Sequence, residues 1–247
     1  MHSVTLLVPH RFRGPTTSGN GGYTAGVLAA HLGAGVGAVT VTLRLPPPLE
    51  TPMMVEPAGD GPHDGVTPHD GVTLRLGDDL VAEATRATVA DLVTVPPVGP
   101  EEAAEASRTY AGLRRHPFPE CFVCGTARGQ DAMGLRPGRI DHGRTACVWT
   151  VAPDLAGRTE LVWAALDCPG GWAAPIEGRP MVLGRITAEV PGTTRPGERC
   201  VVMGQLLATE GRKSFTATTL YGEDGRLVGR ARSTWIAVPT TADGAVA

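Results

Sequence analysis

The 247-residue sequence has no excess of either charge: 22 basic residues stand against 25 acidic ones, interspersed, for a formal charge of −3. Without a basic face or a polybasic run there is no electrostatic footprint for nucleic acid, and none is expected as a partner. No apolar stretch approaches the roughly 18 residues of a membrane-crossing helix. Met1-His2-Ser3-Val4 has neither a charged leader nor an apolar segment behind it, so no secretory signal is read there. Cysteine is sparse and odd in number, 5 in all, which argues against a secreted disulfide framework. A cytoplasmic location is expected. Neither a Gly-x-Ser-x-Gly elbow nor a His-Glu-x-x-His helix occurs. Gly33-Ala34-Gly35-Val36-Gly37 is glycine-rich but follows a helix pattern instead of a strand and lacks the dinucleotide spacing. No cofactor is implied.

What is abundant is punctuation. The 33 Gly and 22 Pro residues are scattered between apolar runs, which reads as many turns instead of a disordered tract. The length suits one large domain or two of about 120 residues. Strands are expected over 4–8, 39–45, 72–76 and 80–90, with Gly77-Asp78-Asp79 as a hairpin turn. A small-residue helix begins after Asn20, a natural cap, and runs to Leu32, where Gly33 or Gly35 stops it. Residues 93–119 are linker-like, with Pro96-Pro97, Pro100, a short acidic helix over 101–110, and Pro117 and Pro119. Beyond them, strands are expected over 134–136, 145–151, 182–190, 200–209, 214–221 and 227–238, with a helix over 159–167. The organisation read from this is an N-terminal unit over 1–92, a linker over 93–119, a C-terminal unit over 120–240 and a tail over 241–247.

The two units resemble each other. Val41-Thr42-Leu43-Arg44-Leu45-Pro46 matches Ile186-Thr187-Ala188-Glu189-Val190-Pro191. The segment from Leu80 to Val89 matches that from Leu227 to Ile236, and each follows an acidic turn. Small residues alternate near the start of both final strands, Ala82 and Ala84 in one and Gly229 and Ala231 in the other. Alternation puts them on one face, where a helix can lie close. One helix with several long antiparallel strands in each half implies an α+β fold with a sheet wrapped around a central helix.

That arrangement, duplicated, resembles a double hot-dog fold. Asn20-Gly21-Gly22-Tyr23-Thr24-Ala25-Gly26 is similar to the helix start of acyl-CoA thioesterases, where His-Gly-Gly or Phe-Gly-Gly is usual. Leu161-Val162-Trp163-Ala164-Ala165-Leu166-Asp167 resembles the helix that carries the catalytic acid in phenylacetyl-CoA-type thioesterases. Cys121-Phe122-Val123-Cys124-Gly125, followed by Gly134-Leu135, resembles the lead-in to the first strand of that group. The resemblance covers about residues 4–92 and 118–239. It implies hydrolysis of an acyl-CoA or acyl-carrier thioester, with no metal, and a possible homodimer.

Thioester hydrolysis needs a donor where negative charge develops, a carboxylate as base or nucleophile, and a channel for the acyl chain. Aligned to the family pattern, the halves are complementary. The N-terminal helix keeps Gly21 and Gly22 but has Ala29 where the acid belongs. The C-terminal helix keeps Asp167 but has Thr159 and Glu160 at the glycine positions. One composite site is therefore expected, with Gly21 and Gly22 as oxyanion donors, Asn20 beside them and Asp167 across the interface. The competing reading is that Asp167 only ends a helix before Pro169 and the glycines only ease packing. Tyr23, Trp163 and Trp172 are candidates for the acyl pocket, the two tryptophans flanking and desolvating Asp167. Arg11 and Arg13 are candidates for CoA phosphates.

Other clusters are weighed against this. Cys121 and Cys124 form a CxxC pair, but a zinc site needs two more ligands, and no spacing singles out His116, Cys147, Cys168 or Cys200. A loop with reduced thiols is the favoured reading. Cys168 is a nucleophile only beside a histidine, and none is suggested. Residues 62–73 repeat Pro-His-Asp-Gly-Val-Thr, and His63, His69, Asp64 and Asp70 can be read as metal ligands. A duplicated turn in an exposed hairpin explains them better. Glu160 suits the dipole of a helix first turn. His31 is the only helical histidine that a hydratase or dehydratase site can use. A non-catalytic acyl- or lipid-binding module is the other alternative.

Overall fold

The computed structural model describes residues 4–33, 37–58, 70–141 and 143–239. Their elements are β1 (Val4–Leu6), α1 (Gly21–Ala29), β2 (Ala38–Leu43), β3 (Met53–Pro57), β4 (Gly71–Leu76), β5 (Asp79–Ala87), α2 (Pro100–Arg108), β6 (Gly138–Asp141), β7 (Arg144–Thr150), α3 (Thr159–Ala165), α4 (Cys168–Ala173), β8 (Met181–Glu189), β9 (Arg199–Glu210), β10 (Lys213–Tyr221) and β11 (Leu227–Ala237). The strands form one sheet in the order β1-β3-β4-β5-β2-β8-β11-β10-β9-β7-β6. Every pairing in it is antiparallel.

The seam between the two halves is the β2–β8 pair, with Val39 opposite Ala188, Thr40 opposite Thr187 and Val41 opposite Ile186. The Thr40 and Thr187 hydroxyls hydrogen-bond across it at 2.7 Å. Val41 and Ile186 are fully buried on the helix side. The helices share that side because α1 has no polar face: Tyr23, Thr24, Ala25, Leu28 and Ala29 are all buried. Gly22 and Gly26 let α1 touch α3 backbone to backbone. A Cβ on Gly26 would lie 2.7 Å from Glu160 Cα, and one on Gly22 would lie 2.6 Å from the Trp163 carbonyl oxygen.

In the C-terminal half both faces of the sheet are covered. Cys147, Cys200 and Val202 point into the main core, while Ala146, Val201 and Met203 join a second cluster with Ala103 and Ala106 of α2. Residues 95–106 are thus packed onto the outer face of the sheet. Val95 donates its N–H to Thr219 Oγ1 at 2.9 Å, and the Tyr221 hydroxyl donates to the Val95 carbonyl at 2.7 Å.

Two expectations are corrected, and β3 and β6 are strands that no expectation covered. Met53–Pro57 is a strand, β3, and supplies the partner of β1; its proline-flanked shortness hid it. Residues 134–136 are loop, entered through Gly134 at φ +68°. The helix expected over 159–167 ends at Ala165, and α4 starts at Cys168. Pro169 sits in the first turn of α4, where the missing N–H would have no acceptor, so it restarts a helix instead of ending one.

One buried ion pair tests the stability of this half. The Glu198 carboxylate accepts from the N–H of Arg195 at 2.8 Å, from that of Glu223 at 3.2 Å and from the Arg226 guanidinium, including Nη2 at 3.0 Å. Those donors, Arg226 foremost, hold its pKa below the usual glutamate value. Glu198→Gln is expected to cost about 1–3 kcal/mol at neutral pH. The carboxylate's contribution is present above the unfolded-state pKa, near 4.3. It is lost as pH falls through the lower folded-state value. Urea unfolding of both proteins should therefore show a gap at neutral pH that closes in acid.

Candidate active site

Asn20 caps α1: its Oδ1 accepts the Tyr23 N–H at 2.8 Å. That bond fixes the amide plane, so Nδ2 points across to the C-terminal half and donates to Asp167 Oδ2 at 2.9 Å. The Gly22 N–H, which has no acceptor within the helix's first turn, donates to the same oxygen at 3.0 Å. Asp167 lies between α3 and α4 and is 2% exposed. Its other oxygen, Oδ1, is buried without a partner. Burial pushes the Asp167 pKa up to about 7, against the Gly22 and Asn20 hydrogen bonds, which favour the charged form.

Asp167 borders a cavity of about 630 Å³. The N-terminal half contributes residues 14–21 and 43–47, and the C-terminal half Trp172, Ile176, Met181, Leu183 and Trp235. Gly21 lines the cavity, and its N–H, at the first position of α1, also lacks an intrahelical acceptor. Residues 116–118 and the cysteine loop complete the wall with His116, Phe118, Cys121 and Cys124. His116 Nδ1 accepts the Phe118 N–H at 2.9 Å, so Nε2 carries the proton and donates to the Cys124 carbonyl at 3.1 Å. Burial keeps its pKa below the usual histidine value. Both nitrogens of this neutral ring are engaged, and its role is to position the loop. Behind it Tyr110 meets Trp172 edge-on at 4.6 Å and donates its hydroxyl to the Cys124 carbonyl at 3.1 Å.

The structure thus brings together Asn20, Gly21, Gly22, Asp167 and Trp172. It does not bring Tyr23, Trp163, Arg11 or Arg13 to this cavity. Tyr23 is buried and stacks on Phe12 at 4.0 Å. Trp163 is buried against Gly26 where α1 meets α3. Arg11 pairs with Asp154 at 2.7 Å, and Arg13 reaches Glu120 at 3.4 Å. A carboxylate thus stands beside each guanidinium, and Arg13 Nε is buried without a partner. Glu160 pairs with Arg158 at 2.8 Å, and His31 is exposed. His63, Asp64 and His69 lie outside the described residues; Asp70 is exposed. The sequence reading missed His116 as a wall residue. It also left Cys168 unassigned, although its sulfur lies 3.7 Å from that of Cys121, 47 positions away.

No protein-family model matches the chain, and no curated protein matches it. Solved structures do. A candidate thioesterase from Novosphingobium aromaticivorans superposes with a TM-score of 0.62 at 14% identity, over 96% of this chain and 95% of that one. A hot-dog protein of unknown function from Alicyclobacillus acidocaldarius gives 0.61 at 12% identity, over 97% and 93%. The TesB protein of Mycobacterium avium subspecies paratuberculosis gives 0.55 at 17% identity, over 91% and 89%. The fold is a hot-dog fold. Among the described residues no helix is long and apolar enough to cross a membrane.

Proposed function

We propose that this protein hydrolyses an acyl thioester, with acyl-CoA or an acyl-carrier thioester as substrate, at the site where the start of α1 meets Asp167. One observation carries the reading: a buried carboxylate has one oxygen anchored by Asn20 and Gly22 and the other free, on the wall of a cavity whose lining is largely apolar. Asp167 Oδ1 takes a proton from water, and the water oxygen attacks the thioester carbonyl. The Gly21 N–H receives the oxyanion. The tetrahedral intermediate then expels the thiol, which leaves with the proton from Asp167. In this reading Gly22 holds the base in place instead of serving the oxyanion, because its N–H is already committed to Asp167. Asn20 does the same, its amide divided between the helix cap and the carboxylate.

We also read the chain as two tandem hot-dog units over 1–92 and 120–240, bridged by 93–119 and followed by the 241–247 tail. The strand order supports this, with β2, β5 and β4 on one side of the seam answering β8, β11 and β10 on the other. A cytoplasmic enzyme that assembles as a homodimer, through sheet edges such as β1 and β6, is the accompanying proposal.

The test is thiol release from a panel of acyl-CoAs, short, long and aromatic. Turnover of at least one well above the uncatalysed rate is expected, and the panel then names the acyl class. Tight binding of acyl-CoA or free fatty acid with no thiol release would replace the enzyme with a binding module.

A further inference from the structure

Cys121, Cys124 and Cys168 are all buried, and their three sulfurs lie within 4.8 Å of one another. Two of them come from one turn. Asn20 Nδ2 donates to Cys121 Sγ at 3.9 Å, and the Cys121 carbonyl accepts the Gly125 N–H at 2.8 Å. A Cβ on Gly125 would lie 2.5 Å from the Cys121 carbonyl oxygen and 2.5 Å from that of Pro119, so only glycine closes this turn. The loop is tied down on its other side, where Met133 and Leu135 donate their N–H groups to Phe122 and Val123 at 2.9 Å each. The third sulfur arrives on α4, immediately after Asp167.

We propose that Cys121, Cys124 and Cys168 bind one Zn2+ ion through their Sγ atoms, with the fourth position filled from the cavity. Tetrahedral zinc with sulfur at about 2.3 Å separates its thiolates by about 3.8 Å. The Cys121 and Cys168 sulfurs are already 3.7 Å apart. Soft thiolates select a soft or borderline cation over magnesium or calcium. The Asn20 side-chain amide, which donates to Cys121 Sγ, offsets part of the negative charge that three thiolates bring to one ion. Each thiol releases its proton to solvent as its sulfur takes the metal. No further cysteine, histidine or carboxylate among the described residues joins the trio. All three cysteines line the cavity that Asp167 borders. A water molecule or a substrate atom there completes the shell, as at zinc sites with three protein ligands. The proposal stands apart from the thioester reading, since the ion is counted without any substrate.

The full-length protein, reduced and loaded with Zn2+, is analysed for metal after gel filtration, and Co2+ is substituted as a spectroscopic probe. One ion per chain is expected, with thiolate-to-cobalt charge transfer in the near ultraviolet and strong tetrahedral bands in the visible. Cys168→Ser should weaken Zn2+ binding by about a hundredfold or more, at least the loss seen when only a supporting group is removed. Cys147→Ser and Cys200→Ser, elsewhere in the core, should leave it unchanged. If Cys168→Ser does not fold, the wild-type cobalt spectrum decides alone. The proposal fails if the reduced wild type retains neither metal. It fails equally if Cys147→Ser or Cys200→Ser abolishes binding, or if Cys121 and Cys168 are found as a disulfide whose reduction confers no metal binding.

Discussion

Asp167→Asn is expected to lower kcat/KM for the best thioester by about a hundredfold or more, the range for removing a general base. That is about 2.7 kcal/mol or more of transition-state stabilisation. Asparagine keeps the shape and can still accept from Asn20 and Gly22, so the loss isolates the base from its anchoring. The pH dependence has a definite sign. Asp167 is pushed up to about 7 by burial and acts as a base when ionised, so in chelator-treated protein kcat/KM should rise with pH through about 7. Stability should move the other way. A carboxyl whose folded-state pKa exceeds its unfolded value favours folding in acid, and that contribution is lost as pH rises through about 7. Asp167→Asn should therefore raise Tm at alkaline pH while it abolishes activity, the trade expected of a group placed for chemistry. A variant that loses stability at alkaline pH and keeps its rate would make Asp167 a structural hydrogen-bonding residue only.

The composite pairing was legible because it rests on what each half lacks. Glycines without an acid and an acid without glycines are complementary in one dimension, and the fold brings them into contact: Gly22 N–H to Asp167 Oδ2 spans 145 positions. Most strands were legible too, since alternation and turn residues are local. The direction of side chains was not. Arg11 and Arg13 sit on the loop before α1, as phosphate-binding residues would, but nothing in the chain says that Asp154 and Glu120 will be nearer. Pro169 reads as a stop because proline ends helices more often than it opens them within two residues of the last. The cysteine trio was hidden for a topological reason. Cys121 and Cys124 mark a turn, but the third sulfur depends on where α4 begins, and α4 was itself invisible. The division of labour between Gly21 and Gly22 depends on which N–H faces the carboxylate, a matter of about one-third of a helical turn.

That division supplies the second large effect. Gly22→Ala would place a methyl 2.6 Å from Asp167 Cβ, 2.6 Å from the Trp163 carbonyl oxygen and 3.1 Å from Ala164 Cα. Two of these neighbours are backbone, so relief requires α1 and α3 to separate. The cost is expected at about 1–3 kcal/mol or more, a fall in Tm of at least about 2–4 °C for a chain of this size. The separation also moves the Gly22 N–H and Asn20 away from Asp167, and a displacement of about 1 Å at such a site costs about a hundredfold in rate. Gly21→Ala differs. Its methyl meets Leu183 Cβ and Cδ2 at 2.9 Å and Leu43 Cδ1 at 3.0 Å, all side-chain atoms. The methyl would stand beside the N–H assigned to the oxyanion. Gly21→Ala should therefore lower kcat with a smaller change in Tm, while Gly22→Ala lowers both. Thermal melts and steady-state kinetics on the two variants separate the roles. Equal losses of rate and stability in both would reduce the glycine pair to helix packing. A Gly21→Ala protein with undiminished kcat would move the oxyanion donor elsewhere on the cavity wall.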